Sequence, residues 1–292
     1  MFLLYLVLTK NSQDFIFNTC HKLLPLSKIL IMTWVEILAL ITSGLLVGFI
    51  NTLAGGGTII SLTILMLFGL SPSVANGTNR IAVLIQNIVA VRNFGKKKLI
   101  DTKKGIYYGI PTLIGSIIGA AIVIKINEKV IEYCFGGIMI IMLFFLIKSP
   151  ESWLKSNEKL LQKPVSIKMV IIFFFIGIYG GFIHVGVGYF ILMGLVLGLG
   201  YDLVKGNAMK NFLVLIYIPF TLLIFVINGQ VRWDYGLTHS IGNIIGAYIA
   251  SKWAIEWGVN FVRWVMIVII FLSSLQMFGF IDLKQFISHL IH

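Results

Sequence analysis

Apolar runs of about twenty residues, separated by short polar breaks, recur along the whole chain. A helix of about twenty residues spans the hydrocarbon core of a bilayer, because each residue adds about 1.5 Å along the helix axis. Only 12% of the 292 residues are charged, whereas a soluble domain averages roughly 25%. The pattern therefore predicts an all-α polytopic membrane protein, with the lipid bilayer as its surroundings.

The alternation of apolar runs and polar breaks predicts ten helical segments. They lie at about residues 34–53, 57–70, 74–94, 105–125, 130–148, 167–185, 187–200, 204–227, 234–252 and 258–279. The second and seventh segments are too short to cross a full bilayer alone. We therefore expect eight to ten transmembrane segments, of which two are short or broken.

The net charge of +12 arises from lysine and arginine residues in the polar breaks. Positive charge between apolar runs sets the orientation of a membrane protein, so this excess does not indicate a nucleic-acid partner. The break at 92–104 carries six basic residues, and the stretch at 148–168 carries five lysines. Both segments are therefore expected in the cytoplasm.

Three pairs of motifs relate the two halves of the chain. Gly48-Phe49-Ile50 matches Gly181-Phe182-Ile183, VANGTNR at 74–80 aligns with VKGNAMK at 204–210, and GSIIGAAI at 115–122 matches GNIIGAYI at 242–249. Five segments per half is an odd number, so the second copy enters the membrane from the opposite side. Such inverted repeats are typical of secondary transporters. We predict a first membrane repeat at 32–148, a cytoplasmic linker at 149–166 and a second membrane repeat at 167–292.

Residues 1–31 have neither the basic start nor the small-residue cleavage site of a signal peptide. One hypothesis is that translation begins at Met32 and that this amino-terminal extension is not native. The alternative is a loosely ordered tail lying on the membrane. The intact mass of the native protein distinguishes the two, because a mass that includes Met1 rejects the first.

Two glycine-rich stretches, GFINTLAGGGT at 48–58 and GFIHVGVGY at 181–189, occupy corresponding positions in the two halves. Glycine permits a backbone break in a membrane helix, and the N–H groups freed there can face an anion. The alternative is that glycine only allows close helix packing. We favour this alternative for the GxxxG pairs at 115–119 and 242–246. The candidate substrate-binding residues at the two breaks are Asn51, Thr52, Gly55, Gly56, Gly57, Thr58, His184 and Gly188. His184, opposite Asn51, is a substrate donor, a protonatable coupling group or simply a neutral buried histidine.

A polar stretch, Asn76-Gly77-Thr78-Asn79-Arg80, opens the third segment, and Gln86-Asn87 follows within the same helix. Several of these side chains share one helical face, which should point into the protein or a water-filled cavity. A membrane-buried arginine costs roughly 2.5–3.5 kcal/mol and usually marks function. The alternative is that Arg80 and its counterpart Lys210 snorkel to an interface. The further candidate binding residues are Asn76, Asn79, Arg80 and Lys210.

Every carboxylate has a plausible loop position, whereas proton relays and cation sites normally rely on Asp or Glu within the membrane. Donors and cations without acids therefore indicate a small anionic substrate. No HExxH, GxSxG or GxxxxGK[ST] motif occurs, so we expect no enzyme activity, no metal, no cofactor and no use of ATP. A passive channel or a sensory or assembly subunit remains an alternative, and an intramembrane enzyme is a weaker one.

The stretches GFINTLAGGGTIIS and SPSVANGTNRIAVLIQNIVAVRNF, with the paired GxxxGA motifs, resemble the TauE/SafE sulfite exporter family of membrane permeases. The resemblance runs from about Glu36 to about Met277. It implies a multi-pass permease in the plasma (inner) membrane of a prokaryote that moves sulfite, an organosulfonate or a related sulfur-containing anion. It also implies Asn51, the adjoining glycines and the stretch 76–80 as pathway residues. In the second half, HVGVG and GNAMK depart from the family's more glycine-rich and more polar pattern.

These observations together predict a permease that works by alternating access and is driven by the gradients of the anion and of protons. Backbone N–H groups at the two breaks, with Asn51, Asn79 and Arg80, would hold the oxygens of the anion. One repeat would rock against the other to alternate access. A homo-oligomer is compatible with the sequence.

Overall fold

The computed structural model describes residues 32–53, 55–131, 133–135, 137, 157–162 and 165–253, and these residues contain helices and turns but no strand. Their main helices are α1 (Trp34–Leu53), α2 (Thr58–Leu67), α3 (Pro72–Lys96), α4 (Thr102–Val123), α5 (Ile167–Phe182), α6 (Val187–Met193), α7 (Leu203–Ile227) and α8 (Trp233–Trp253). A π-helical stretch, Gly194–Gly198, extends α6. The predicted all-α fold is confirmed. The predicted extension at 1–31 and segment at 258–279 lie outside the described residues, as does most of the segment at 130–148.

The helices differ in how readily they could cross a membrane. α1, α4 and α7 are long and apolar enough to span one, whereas α2, α5 and α6 with its extension are shorter apolar helices. α3 is 25 residues long but carries a series of polar side chains. Those between Asn76 and Asn87 are buried within the protein, which is the arrangement that makes a polar helix tolerable at membrane depth.

α6 runs back along α5 rather than continuing it. A methyl group on Gly194 would lie 3.2 Å from the ring of Phe173, and one on Gly198 would overlap the side chain of Met169. Later positions of α6 thus meet earlier positions of α5, so the two helices form an antiparallel hairpin, here called hairpin 2 (residues 167–198). The predicted short seventh segment is therefore the returning arm of this hairpin.

α1 and α2 form a similar hairpin, here called hairpin 1 (residues 34–67). Gly57, just before α2, packs against the backbone of Val47 in α1. Farther along α2, Ser61 Oγ lies 2.8 Å from His239 Nε2, and His239 Nδ1 lies 2.9 Å from the carbonyl oxygen of Leu40. α2 therefore returns toward the beginning of α1.

Each hairpin packs along the fourth helix of the other half, α1 on α8 and α5 on α4. A methyl group on Gly246 of α8 would overlap the carbonyl oxygen of Leu45, and one on Gly119 of α4 would overlap that of Ile178. These two contacts are related by the same offsets that relate the sequence motifs, 127 residues for the glycines and 133 for their partners. Such matched contacts are expected of a repeat, and the repeat and its inverted orientation stay predictions.

Alanine at Gly119 or at Gly246 is expected to destabilise the protein to a similar extent, because each methyl group would overlap a backbone oxygen. Overpacking costs about 1–3 kcal/mol, which corresponds to a melting temperature several degrees lower for a chain of this size. Thermal unfolding of the purified variants in detergent measures the loss. Gly95→Ala is the control, since nothing lies within 4 Å of its added methyl group. A large loss in one variant with none in the other would contradict the equivalence of the two contacts.

The starts of α1 and α8 are joined by polar side chains. Tyr235 donates a hydrogen bond of 2.9 Å to Glu36 Oε1. The guanidinium of Arg232, just before α8, donates two hydrogen bonds of 3.0 and 2.5 Å to the carboxylate of Asp234. The bonds to Asp234 raise the pKa of the Arg232 guanidinium, and they fix the position of Arg232 at the start of α8.

The described residues of the two lysine-rich segments contact each other. Lys104 Nζ donates to the carbonyl oxygen of Leu161 over 2.5 Å. Nearby, the N–H of Asn157 donates to the carbonyl oxygen of Gly200 over 2.9 Å. The charge pattern predicts that both segments lie on the same side of the membrane, and the cytoplasmic assignment of that side stays a prediction.

Candidate functional site

The two glycine-rich breaks touch each other inside the protein. A methyl group on Gly55 would lie 2.5 Å from the Cα of Gly188, and one on Gly188 would lie 2.6 Å from the Cα of Gly55. Gly55 also has a φ of +89°, which a side chain disfavours. The sequence predicted two breaks at corresponding positions, and the structure brings them into direct backbone contact.

A small cavity of about 10 Å³, lined by buried residues, lies beside this contact. Its lining residues come from both halves and are Asn51, Gly55, Gln86, Asn87, His184, Gly188, Lys210, Asn211 and Val214. All of these side chains or glycines are buried. A cavity of this volume has room for about one water molecule, so a larger molecule can enter only if the walls move.

The polar atoms around the cavity are not all satisfied by the protein. Asn51 Oδ1, Gln86 Oε1 and Asn87 Oδ1 have no hydrogen-bond partner among the described residues. A buried polar atom without a partner costs about 1–3 kcal/mol, so three of them around one cavity indicate a place for a polar ligand. The NH₂ groups of Asn51 and Asn87 each donate one hydrogen within the protein, to Thr58 Oγ1 and to the carbonyl oxygen of Val83. The second hydrogen of each group can donate to an anion.

Lys210 supplies the positive charge in the cavity wall. Its Nζ donates to the carbonyl oxygens of Asn51 at 2.7 Å and Thr52 at 3.1 Å, and to Asn207 Oδ1 at 2.9 Å. These bonds use all three donors of the ammonium group. Asn211 Nδ2 adds a bond of 3.1 Å to the oxygen of Thr52. α7 therefore caps the carbonyl end of α1, which is the negative end of the helix dipole.

Arg80 makes the corresponding contact at the carbonyl end of α5. Its guanidinium donates to the carbonyl oxygen of Gly181 at 2.7 Å and to Thr221 Oγ1 at 2.9 Å. Asn76 Nδ2 donates to the carbonyl oxygen of Phe182 at 2.9 Å. α3 of the first half thus caps hairpin 2, just as α7 of the second half caps hairpin 1.

Neither cation reaches the surface of the protein. Arg80 is 0% exposed and Lys210 is 1% exposed. Snorkelling to a membrane interface leaves the charged group in water, so this arrangement argues against the alternative that the two residues serve only as topology anchors. Each instead joins the two halves of the chain.

Five of the predicted site residues line the cavity, and the others lie outside its lining. The five are Asn51, Gly55, His184, Gly188 and Lys210. The others, all buried, are Thr52, Gly56, Gly57, Thr58, Asn76, Asn79 and Arg80. Gln86, Asn87, Asn211 and Val214 also line the cavity, although they were not in the predicted set. The sequence held a signal for three of these four residues. Gln86 and Asn87 lie on the polar face of α3, and Asn211 is next to Lys210.

The remaining contacts of the predicted residues are local. Asn51 Nδ2 donates to Thr58 Oγ1 at 3.4 Å, which ties the end of α1 to the start of α2. His184 Nδ1 shares a hydrogen bond of 3.1 Å with the hydroxyl of Tyr217. Both side-chain amide atoms of Asn79 are buried without a partner among the described residues. Within the same part of the chain, no group of three or more His, Cys, Asp or Glu residues could hold a metal ion.

Comparison with known proteins gives consistent matches. The family model for sulfite exporter TauE/SafE matches residues 40–277. The chain is 22% identical to a probable membrane transporter protein of Haemophilus influenzae over 234 residues, which cover 80% of this chain and 91% of that protein. It is 26% identical to the probable membrane transporter protein YfcA of Escherichia coli over 226 residues, 77% of this chain and 83% of that protein. It is 24% identical to the probable membrane transporter protein YunE of Bacillus subtilis over 257 residues, 79% of this chain and 94% of that protein. No solved structure matches the chain.

Proposed function

Since the chain belongs to the sulfite exporter TauE/SafE family and is thus a multi-pass membrane transporter, we propose that it carries a small anion such as sulfite or an organosulfonate. The anion would cross the plasma membrane of a prokaryote by alternating access, driven by the gradients of the anion and of protons. The family name supports the substrate class, and the absence of an ATP-binding motif in the sequence supports the energy source.

The cavity between the two breaks is the observation that carries this proposal. Its lining residues are buried and come from both halves, and three of their amide oxygens lack hydrogen-bond partners among the described residues. Substrate sites of carriers with broken helices lie where the two halves meet. The amides of Asn51 and Asn87 would donate to the oxygens of the anion, and Lys210 would supply the positive charge.

The helix ends at the two hairpin tips favour an anion only because Lys210 and Arg80 cap the carbonyl ends of α1 and α5. The carbonyl end of a helix carries roughly half a negative charge and the amino end roughly half a positive charge. At each hairpin tip both kinds of end are present, since α1 or α5 ends there and α2 or α6 begins. Lys210 and Arg80 neutralise the two carbonyl ends, so the field of the amino ends and of the cations remains to attract an anion.

The packing supports a particular pair of moving bodies. Hairpin 1 is held to α8 and hairpin 2 to α4 by glycine contacts that leave no room for a side chain. We therefore expect hairpin 1 with α8 to move against hairpin 2 with α4, in place of one repeat rocking against the other. Gly55 and Gly188 would then move apart, and the cavity would open first to one side of the membrane and afterwards to the other.

Binding of sulfite to the cavity is tested with Asn87→Leu. Leucine has the same branched shape and the same number of side-chain non-hydrogen atoms as asparagine but cannot donate to an anion, and a hydrogen bond to a charged group contributes about 1.5–3 kcal/mol. We expect the affinity of the purified protein for radiolabelled sulfite to fall about ten- to a hundredfold. Equilibrium binding in a scintillation proximity assay gives this value, with sulfoacetate and chloride as competitors.

The matched control is Asn93→Leu. Asn93 lies on the same helix, but its amide donates to Ser251 Oγ at 2.9 Å, away from the cavity. This variant is expected to bind sulfite like the parent. Equal affinity of the parent and Asn87→Leu would remove this cavity as the binding site. Failure of the parent to bind sulfite or sulfoacetate would remove the proposed substrate class.

A further inference from the structure

The carbonyl ends of α1 and α5 resemble sites for a coupling cation. A helix that ends inside a membrane protein leaves its last carbonyl oxygens without partners in the helix. In carriers with broken helices, such oxygens at unwound segments and helix ends bind the coupling sodium ion. Hairpin 1 offers the carbonyl oxygens of Asn51 and Thr52 together with Asn207 Oδ1, an all-oxygen set of the kind that hard cations prefer.

In this chain a side-chain cation already occupies each of these positions. The ammonium of Lys210 lies 2.7–3.1 Å from the three oxygens at the end of α1. The guanidinium of Arg80 binds the oxygens of Gly180 and Gly181 at the end of α5. Within the described residues, neither cation forms an ion pair with a carboxylate. The positive charge at each helix end is therefore held in place by the chain itself.

We infer that Lys210 and Arg80 are built-in substitutes for coupling metal cations, so that transport by this protein requires no sodium or other metal ion. A metal ion at the same carbonyl oxygens would be repelled by a side-chain cation within hydrogen-bonding distance of them. Both cations come from the opposite half of the chain, so each one also holds the two halves together. This inference rests on the proposed function, because it concerns the ions that transport requires. Its prediction about metal binding can be measured without any anion.

The test is metal-dependent thermal stability of the purified protein in detergent. The parent is melted in sodium, potassium and choline chloride at equal ionic strength, and we expect the same melting temperature in all three. Lys210→Ala leaves the three oxygens without their cation. We therefore expect sodium or potassium to raise the melting temperature of this variant saturably, by at least about 3 °C, relative to choline.

Lys205→Ala is the matched control, because Lys205 lies on the same helix with an exposed side chain, and it should behave like the parent. A saturable sodium or potassium shift in the parent would overturn the inference, as would a folded Lys210→Ala protein that responds to neither metal. If Lys210→Ala does not fold, the melting temperature of the parent in sodium, potassium and choline chloride still tests the inference. A protein that shows the expected shifts but binds no sulfite would refute the proposed substrate and leave this inference standing.

Discussion

Alanine at Gly55 is expected to reduce transport to background. The added methyl group would lie 2.5 Å from the Cα of Gly188, and neither backbone can yield without separating the two hairpins. The φ of +89° adds strain, since a left-handed conformation costs about 1–2 kcal/mol for a residue with a side chain. With overpacking of about 1–3 kcal/mol, we expect a loss of roughly 2–5 kcal/mol. Uptake of radiolabelled sulfite into proteoliposomes and thermal unfolding in detergent measure the two effects.

Two further variants separate the contact from the backbone strain. Gly69 has a φ of +85°, but nothing lies within 4 Å of a methyl group placed there, so Gly69→Ala reports the strain alone. Gly188→Ala introduces the same clash from the other side, at a position without positive φ. We expect near-parental transport for Gly69→Ala and loss for Gly188→Ala. Parental transport by both Gly55→Ala and Gly188→Ala would show that the two breaks need not touch.

Arg80→Gln is expected to have the second large effect. The change leaves the carbonyl end of α5 without its cation, and each buried acceptor left without a donor costs about 1–3 kcal/mol. Hairpin 2 should lose its anchor on α3, so that transport falls to background and the melting temperature drops. Both are measured on purified protein that elutes as a single species, in proteoliposomes and in detergent.

Arg92→Gln is the control for Arg80→Gln, because Arg92 lies on the same helix with an exposed side chain. Arg80→Lys should be intermediate, since lysine keeps the charge but lacks the planar fork that reaches both a carbonyl oxygen and Thr221. If Arg80→Gln transports sulfite like the parent, the cap on hairpin 2 has no part in transport.

The sequence was informative where residue type alone dictates structure. The apolar runs predicted the helices, and the three paired motifs predicted which positions would have equivalent neighbours. The glycines at 119 and 246 do have equivalent neighbours, because a helix that must approach another backbone closely admits no side chain at the contact. The buried face of α3 followed from the spacing of its polar residues in the same way.

The direction of α2 and α6 could not be read from the sequence. A short apolar run after a glycine break has the same composition whether it continues across the membrane or turns back. Gly55 and Gly186 both have positive φ, and a glycine in a sequence shows only that such a turn is permitted. The turn itself depends on packing between the arms, such as the approach of Gly198 to Met169.

The partners of the two cations were also beyond the sequence. A buried arginine or lysine predicts a function, but the sequence does not show which oxygen atoms it will meet. Arg80 was expected to hold the anion, and in the structure it binds the end of α5 and lies outside the cavity lining. Lys210 binds the end of α1 and lines the cavity as well. Long-range contacts of this kind arise only when two segments 100 or more residues apart are brought together.

Counterflow is the most direct test of an anion carrier whose substrate site lies between the two hairpins. Proteoliposomes containing the parent protein are loaded with unlabelled sulfite or sulfoacetate, and radiolabelled sulfite is added outside. A carrier that alternates access should accumulate the label transiently and with saturable kinetics. It should also take up more label into loaded vesicles than into vesicles that contain no sulfite or sulfoacetate. Uptake that is neither saturable nor stimulated by internal anion, or no uptake with either anion, would contradict the account.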